Sequence, residues 1–107
     1  MIPAYNGHFM YLKDSVERFT PDVSGVYYVG YLNRTQELVP VYIVRAIGFF
    51  TSIRSRLFDH LRDQCWQNTT HFGFKLCADE RQAQQLESYD IKIYQPRYNT
   101  HLKAVGF

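Results

Sequence analysis

Cysteine is scarce in this chain. Cys65 and Cys77 are the two present, too few to staple a small secreted scaffold. With His60 and His71 they supply zinc-ligand types, but without the close C-x2-C spacing that a zinc site needs. Both cysteines read instead as small core hydrophobes. Charge of one sign is missing too. Twelve Lys and Arg against ten Asp and Glu give a formal net charge of +2. No broad basic surface advertises nucleic acid, so a phosphate-facing patch must come from a few placed arginines. Long apolar runs are also lacking. VPVYIVRAIGFF at 39–50 is too short to span a bilayer and carries Arg45 in its middle. Lys13, Asp14, Glu17 and Arg18 break up the N-terminal region, where a secretory signal needs an apolar stretch. The expectation is a soluble protein of a reducing compartment, cytoplasmic or at the nucleoid or nucleus, not secreted and without a membrane partner. Repeats, Gly/Ser linkers, a phosphate-binding glycine loop, a dinucleotide fingerprint and a Ser/His/Asp arrangement are all missing.

What is present fits one domain spanning 1–107. Hydrophobic residues make up 46% and aromatics 17%, with nine Tyr and eight Phe, a composition suited to strands and half-buried sheet faces. YLKDSVERF (11–19) suggests a short helix closed by Thr20-Pro21. GVYYVGYL (25–32) and VPVYIVRA (39–46) read as strands, and the polar NRTQEL (33–38) between them makes a hairpin. In TSIRSRLFDHLRDQCW (51–66), Ile53, Leu57, Leu61 and Cys65 recur every four residues, which predicts a helix capped by Thr51 or Ser52. HFGFKLC (71–77) is a third strand. Asp79 and Gln82 form a capping box opening a last helix that must end before Pro96. After an N-terminal extension of 1–23, the order is β-β-α-β-α, a small mixed α/β (α+β) domain.

Two helices carry candidate chemistry. On the last one, Ala83, Leu86, Tyr89, Ile91, Ile93 and Tyr94 share a broad apolar arc, and Glu87 falls inside it. A carboxylate turned toward the body of a protein needs a cation, a metal or donors, so Glu87 is either a salt-bridged structural charge or a ligand. Asp90 lies on the same face, where a structural bond is the expected role, with a second metal-facing carboxylate as the alternative. On the 51–66 helix, Arg56 and His60 are an i, i+4 pair along one flank of the buried stripe.

Four segments then fall in a telling order: GVY (25–27), VYIV (41–44), RSRLFDHL (54–61) and LESYDIKIYQPRYN (86–99). Together they resemble the GIY-YIG nuclease family over roughly residues 24 to 99. The last segment is the most specific, resembling the family's glutamate-bearing helix and its closing P-x-Y-N. The resemblance implies a three-stranded antiparallel sheet flanked by helices, and phosphodiester hydrolysis with one Mg²⁺ or Mn²⁺ per site. It assigns catalytic roles to Tyr27, Tyr42, Arg56, His60 and Glu87, with Glu87 the metal ligand. Arg45, Arg54 and Asn99 fall where they would bind substrate or organise the site. There are departures. Val44 stands where the family has glycine, the 46–52 connection is long, and the hairpin from Tyr27 to Tyr42 is stretched.

The chemistry asks for these residue types. A lone carboxylate can hold one hydrated divalent ion, an arginine can donate charge-assisted bonds to phosphate, and Tyr27 or Tyr42 would orient or deprotonate the water. A phenol acts as a base only if its charged form is favoured, here by the metal, Arg45 or Arg56. The implied partner is nucleic acid, DNA before RNA. A protein partner would supply specificity, and a homodimer would let two sites cut two strands. The alternative is a catalytically inactive module of the same fold that binds nucleic acid or a protein.

Overall fold

In the computed structural model, which describes residues 3–20, 23–46, 52–63 and 69–99, the chain runs through seven elements. They are β1 (Tyr5–Met10), α1 (Lys13–Phe19), β2 (Gly25–Leu32), β3 (Leu38–Ala46), α2 (Ile53–Asp63), β4 (His71–Leu76) and α3 (Glu80–Tyr94). The strands form one antiparallel sheet in the order β1-β4-β2-β3. Thr51, Cys65, Trp66 and the 47–51 part of the long connection lie outside the described residues.

The expected elements form for local reasons. Ser52 opens α2, its hydroxyl accepting the Ser55 N–H at 3.1 Å. At the start of α3, Asp79 accepts the Gln82 N–H at 2.8 Å while the Gln82 side chain accepts the Ala78 N–H at 2.7 Å. That helix closes on Gln95 in the left-handed conformation, just before the buried Pro96. The β2–β3 turn is organised by Asn33, whose Oδ1 accepts from the Thr35 and Glu37 N–H groups at 2.9 and 3.0 Å.

The sheet has four strands rather than the three expected. The N-terminal extension supplies the extra one: β1 pairs along β4 from Tyr5 opposite Lys75 to Met10 opposite His71. Most of β1 is exposed, so it lacks the alternation that marks a strand in sequence. It is a strand because an open edge of β4 is there to pair with.

Central β2 is covered on both faces, and its alternation sorts the core into two layers. Tyr27 and Val29 join Val16, Ile53, Leu57, Phe72 and Phe74 beneath α1 and α2. Val26 and Tyr28 join Ile43 and Ala83 beneath α3. On α3 the apolar arc needs correcting. Ala83 and Asp90 are buried and Leu86, Glu87 and Ile91 half-buried, whereas Tyr89, Ile93 and Tyr94 are 63%, 57% and 52% exposed. The helix is rotated so that Asp90 meets polar partners on the sheet, and that turns the flank holding Tyr89 and Ile93 toward water.

β3 is the other edge strand, which is where a strand can tolerate Pro40. Its register with β2 shifts by one residue. Gly30 faces Pro40, but Val29 faces Tyr42, so Val41 is the extra residue of a β-bulge. Gly30 is needed there: a Cβ would come within 1.9 Å of the Val39 carbonyl oxygen. The bulge has a consequence for the site. Opposed residues in an antiparallel pair share a face. Were the turn-proximal register to continue, Tyr42 would oppose Tyr28 and point toward α3. The extra residue places it opposite Val29, on the same face as Tyr27.

Candidate active site

On the α2 side of the sheet, Tyr27, Tyr42, His60 and Arg56 are brought together. The phenol oxygen of Tyr27 lies 2.9 Å from His60 Nδ1. The His60 ring is 5.8 Å from the Tyr27 ring and 6.0 Å, edge-on, from that of Tyr42. Tyr27 is fully buried while Tyr42 is half-buried. Burial pushes the Tyr27 phenol well above its ordinary 10.0, and the Arg56 guanidinium beside it offsets only part of that rise. Tyr27 is therefore held neutral and suited to donate rather than to act as a base. Val44, in the family's glycine position, faces Tyr27 across the ladder and packs half-buried into the same layer.

The helix carrying Arg56 and His60 is pinned by the N-terminal extension. Tyr11 donates its hydroxyl to the Leu57 carbonyl at 2.7 Å. Arg54 donates Nε and Nη2 to the Thr20 carbonyl at 3.1 and 2.6 Å. Arg54 thus straps α2 to the end of α1, and Arg56 is the arginine that acts on the tyrosine. These contacts join residues 34 and 46 positions apart, beyond the reach of any local pattern.

Glu87 and Asn99 come to the edge of β3 instead. Asn99 clamps Ile43 from outside, accepting its N–H at 2.7 Å and donating to its carbonyl at 2.8 Å. Two residues along, Glu87 Oε2 accepts the Arg45 N–H at 2.9 Å, while Oε1 lies 3.8 Å from the Arg45 guanidinium. Together they satisfy main-chain groups that an edge strand would otherwise leave unpaired. Each such group, if buried unpaired, costs about 1–3 kcal/mol. The carboxylate is a rim group, its side chain 18% exposed, at the margin of the strand that carries Tyr42. Of the sequence-derived site residues, four gather under α2, while Glu87, Arg45 and Asn99 line the adjoining edge. The sequence did hold one sign of that edge, namely Pro40 inside a strand.

Asp90 faces elsewhere. It accepts from the Tyr28 hydroxyl and from Lys75 Nζ, the latter at 3.3 Å, and Lys75 also sits 5.2 Å over the Tyr28 ring. It is a structural anchor of α3, as its residue type in that arc suggested. Among the described residues no three His, Cys, Asp or Glu side chains are placed to hold a metal together. A divalent ion here would have one protein carboxylate and a shell of water. Glu87 suits that role, because Oε2 is oriented by a main-chain donor and Oε1 has only a long contact.

The buried phenols give a pH expectation. Tyr27 and Tyr28 are both raised, chiefly by burial, above the ordinary 10.0 of an unfolded tyrosine. Above pH 10 the unfolded chain releases protons that the folded chain keeps, so unfolding becomes easier. Their contribution to stability is complete below that pH and is lost as pH rises toward the folded values. Urea unfolding from pH 8 to 11, followed with tyrosinate absorbance, should show a late-ionising fraction appearing together with loss of the fold.

The architecture is similar to solved structures of the GIY-YIG N-terminal endonuclease domain of UvrC from Thermotoga maritima. One point-mutant form, bound to its catalytic divalent cation, aligns with a TM-score of 0.62 at 24% identity, covering 81% of this chain and 97% of that one. A second cation-bound point mutant gives 0.60 at 25% identity, with 81% and 97% covered. No family model and no curated protein matches the sequence.

Proposed function

Taking the GIY-YIG fold as the frame, we propose that this domain is a metal-dependent endonuclease hydrolysing phosphodiester bonds in DNA. The observation that carries the reading is the Tyr27–His60 hydrogen bond with Tyr42 and Arg56 beside it. A packing core needs no such cluster. The Tyr27 phenol, held neutral, can donate to His60 Nδ1, and in that tautomer the imidazole carries its proton on Nε2. The Nε2 N–H would then steady a phosphoryl oxygen or protonate the leaving oxygen. The half-buried Tyr42 accepts a hydrogen bond from the attacking water and fixes its direction. Arg56 neutralises charge growing on the phosphate. Glu87 would hold Mg²⁺ or Mn²⁺, and when bound that ion would supply charge neutralisation and a more acidic water. Asn99 organises β3 behind Tyr42 rather than touching substrate. We place this activity in the cytoplasm or at the nucleoid, with specificity supplied by a partner.

A second reading, a non-catalytic nucleic-acid module, is favoured by a cleft of about 510 Å³ elsewhere on β3. Tyr31, Tyr94, Tyr98 and Arg97 are among its lining residues, and exposed tyrosines beside an arginine suit unpaired bases. The deciding experiment incubates supercoiled plasmid and branched or single-stranded oligonucleotides with Mg²⁺, Mn²⁺ or EDTA. Metal-dependent cleavage that Arg56→Ala lowers by ~10²–10³-fold, with the fold retained, is the expected result. Binding without cleavage, weakened by Tyr94→Ala, would favour the module instead.

A further inference from the structure

Both oxygens of Glu87 are occupied by the same residue: Oε2 by the Arg45 main-chain N–H and Oε1 by its guanidinium. These contacts differ in kind. At 2.9 Å the first fixes the carboxylate's direction, and it survives any change of the Arg45 side chain. At 3.8 Å the second is a loose charge contact between side chains that keep some access to water, which a competing cation can displace. We propose that Arg45 is a built-in counter-ion of the metal-binding carboxylate, holding Glu87 paired in the metal-free protein and opposing entry of the divalent ion. The inference rests on Glu87 being the metal ligand.

Its physical basis is charge. A hydrated divalent ion on Oε1 would come close to a guanidinium that is itself drawn to that oxygen. Each metal-binding event must therefore either move Arg45 aside or accept repulsion from it. At a partly solvated rim this repulsion weakens metal affinity by on the order of tenfold, and salt reduces the difference. The same pairing explains how the protein tolerates a carboxylate only 18% exposed while no metal is bound. Arg45 thus orients the ligand in the free protein at the expense of its affinity.

The test is Mn²⁺ binding to the full chain without nucleic acid, at low ionic strength, read from loss of the free-ion EPR signal. Wild type is compared with Arg45→Gln, Arg45→Lys and Glu87→Gln, each checked for folding by circular dichroism. The expected result is binding about tenfold tighter in Arg45→Gln, a gap that narrows with added salt, and a return toward wild type in Arg45→Lys. Binding detectable only in Arg45→Gln would support the same conclusion in stronger form. If Glu87→Gln abolishes binding but Arg45→Gln leaves it unchanged or weaker, the counter-ion role is overturned and the ligand assignment stands. If Glu87→Gln binds as wild type does, or no protein binds Mn²⁺, both are overturned.

Discussion

Glu87→Gln is expected to abolish metal-dependent cleavage while leaving the protein folded. The amide keeps an oxygen for the Arg45 N–H, so the edge of β3 stays satisfied. The charge contact it gives up is 3.8 Å long and partly exposed, worth at most about 1 kcal/mol. The site, however, loses the negative charge on which a hydrated divalent ion depends. Loss of an outer-shell partner at a metal site typically costs about 10–100-fold, and removal of the ligand itself should exceed that. Nicking rates in Mn²⁺ and urea midpoints, measured on the same preparation, separate the two effects. A variant that still cuts within a few-fold of wild type would remove Glu87 from the chemistry. Glutamine is the informative replacement because alanine would also strip the acceptor from Arg45 and confuse activity with local unfolding.

The largest stability effect is expected at Asp90, one turn along α3 from Glu87. Asp90→Ala leaves the Tyr28 hydroxyl and the Lys75 ammonium without their shared acceptor, in a place where Asp90 and Lys75 side chains are 5% and 16% exposed. Removing one partner of such a pair costs about 3–5 kcal/mol, most of it from the charge left behind. Because Lys75 keeps some access to water, a value near the lower end is expected. Asp90→Asn, which keeps an acceptor for the phenol, should lose less. Urea unfolding measures both. A loss below about 1 kcal/mol for Asp90→Ala would mean that Lys75 simply turns to solvent. Since α3 carries Glu87 as well as Asp90, any fall in activity should follow the folded fraction rather than the chemistry.

These two carboxylates mark how far the sequence could be read. One helical turn holds both, and residue type and periodicity said only that each needed a partner. Their partners, Arg45 on β3 and Lys75 on β4, are set by sheet pairing, which no local pattern encodes. The hairpin, the Asp79–Gln82 cap and the stop before Pro96 were legible because turn, cap and proline chemistry act within a few residues. So was the placing of Arg56 and His60 one turn apart on α2, which helical spacing alone dictates. β1 was missed because it is stabilised by the edge it pairs with and not by its own alternation. Tyr89, Ile93 and Tyr94 were assigned to the buried arc because apolar character was taken to set the helix's rotation. In fact Asp90 sets it by reaching Tyr28 and Lys75.

The bulge at Val41 gives the hairpin a parity. Length added or removed symmetrically at the Asn33–Glu37 turn leaves the faces of β2 and β3 as they are. Deleting Val41 itself leaves them too, because Pro40 stays opposite Gly30 and Tyr42 then follows opposite Val29 in a ladder without the bulge. With the bulge flattened and no residue removed, Tyr42 would instead oppose Tyr28, and the two tyrosines would lie on different sides of the sheet with every side chain still present. In this domain the distance in sequence from Tyr27 to Tyr42 is free to drift, but whether it is odd or even is tied to the bulge.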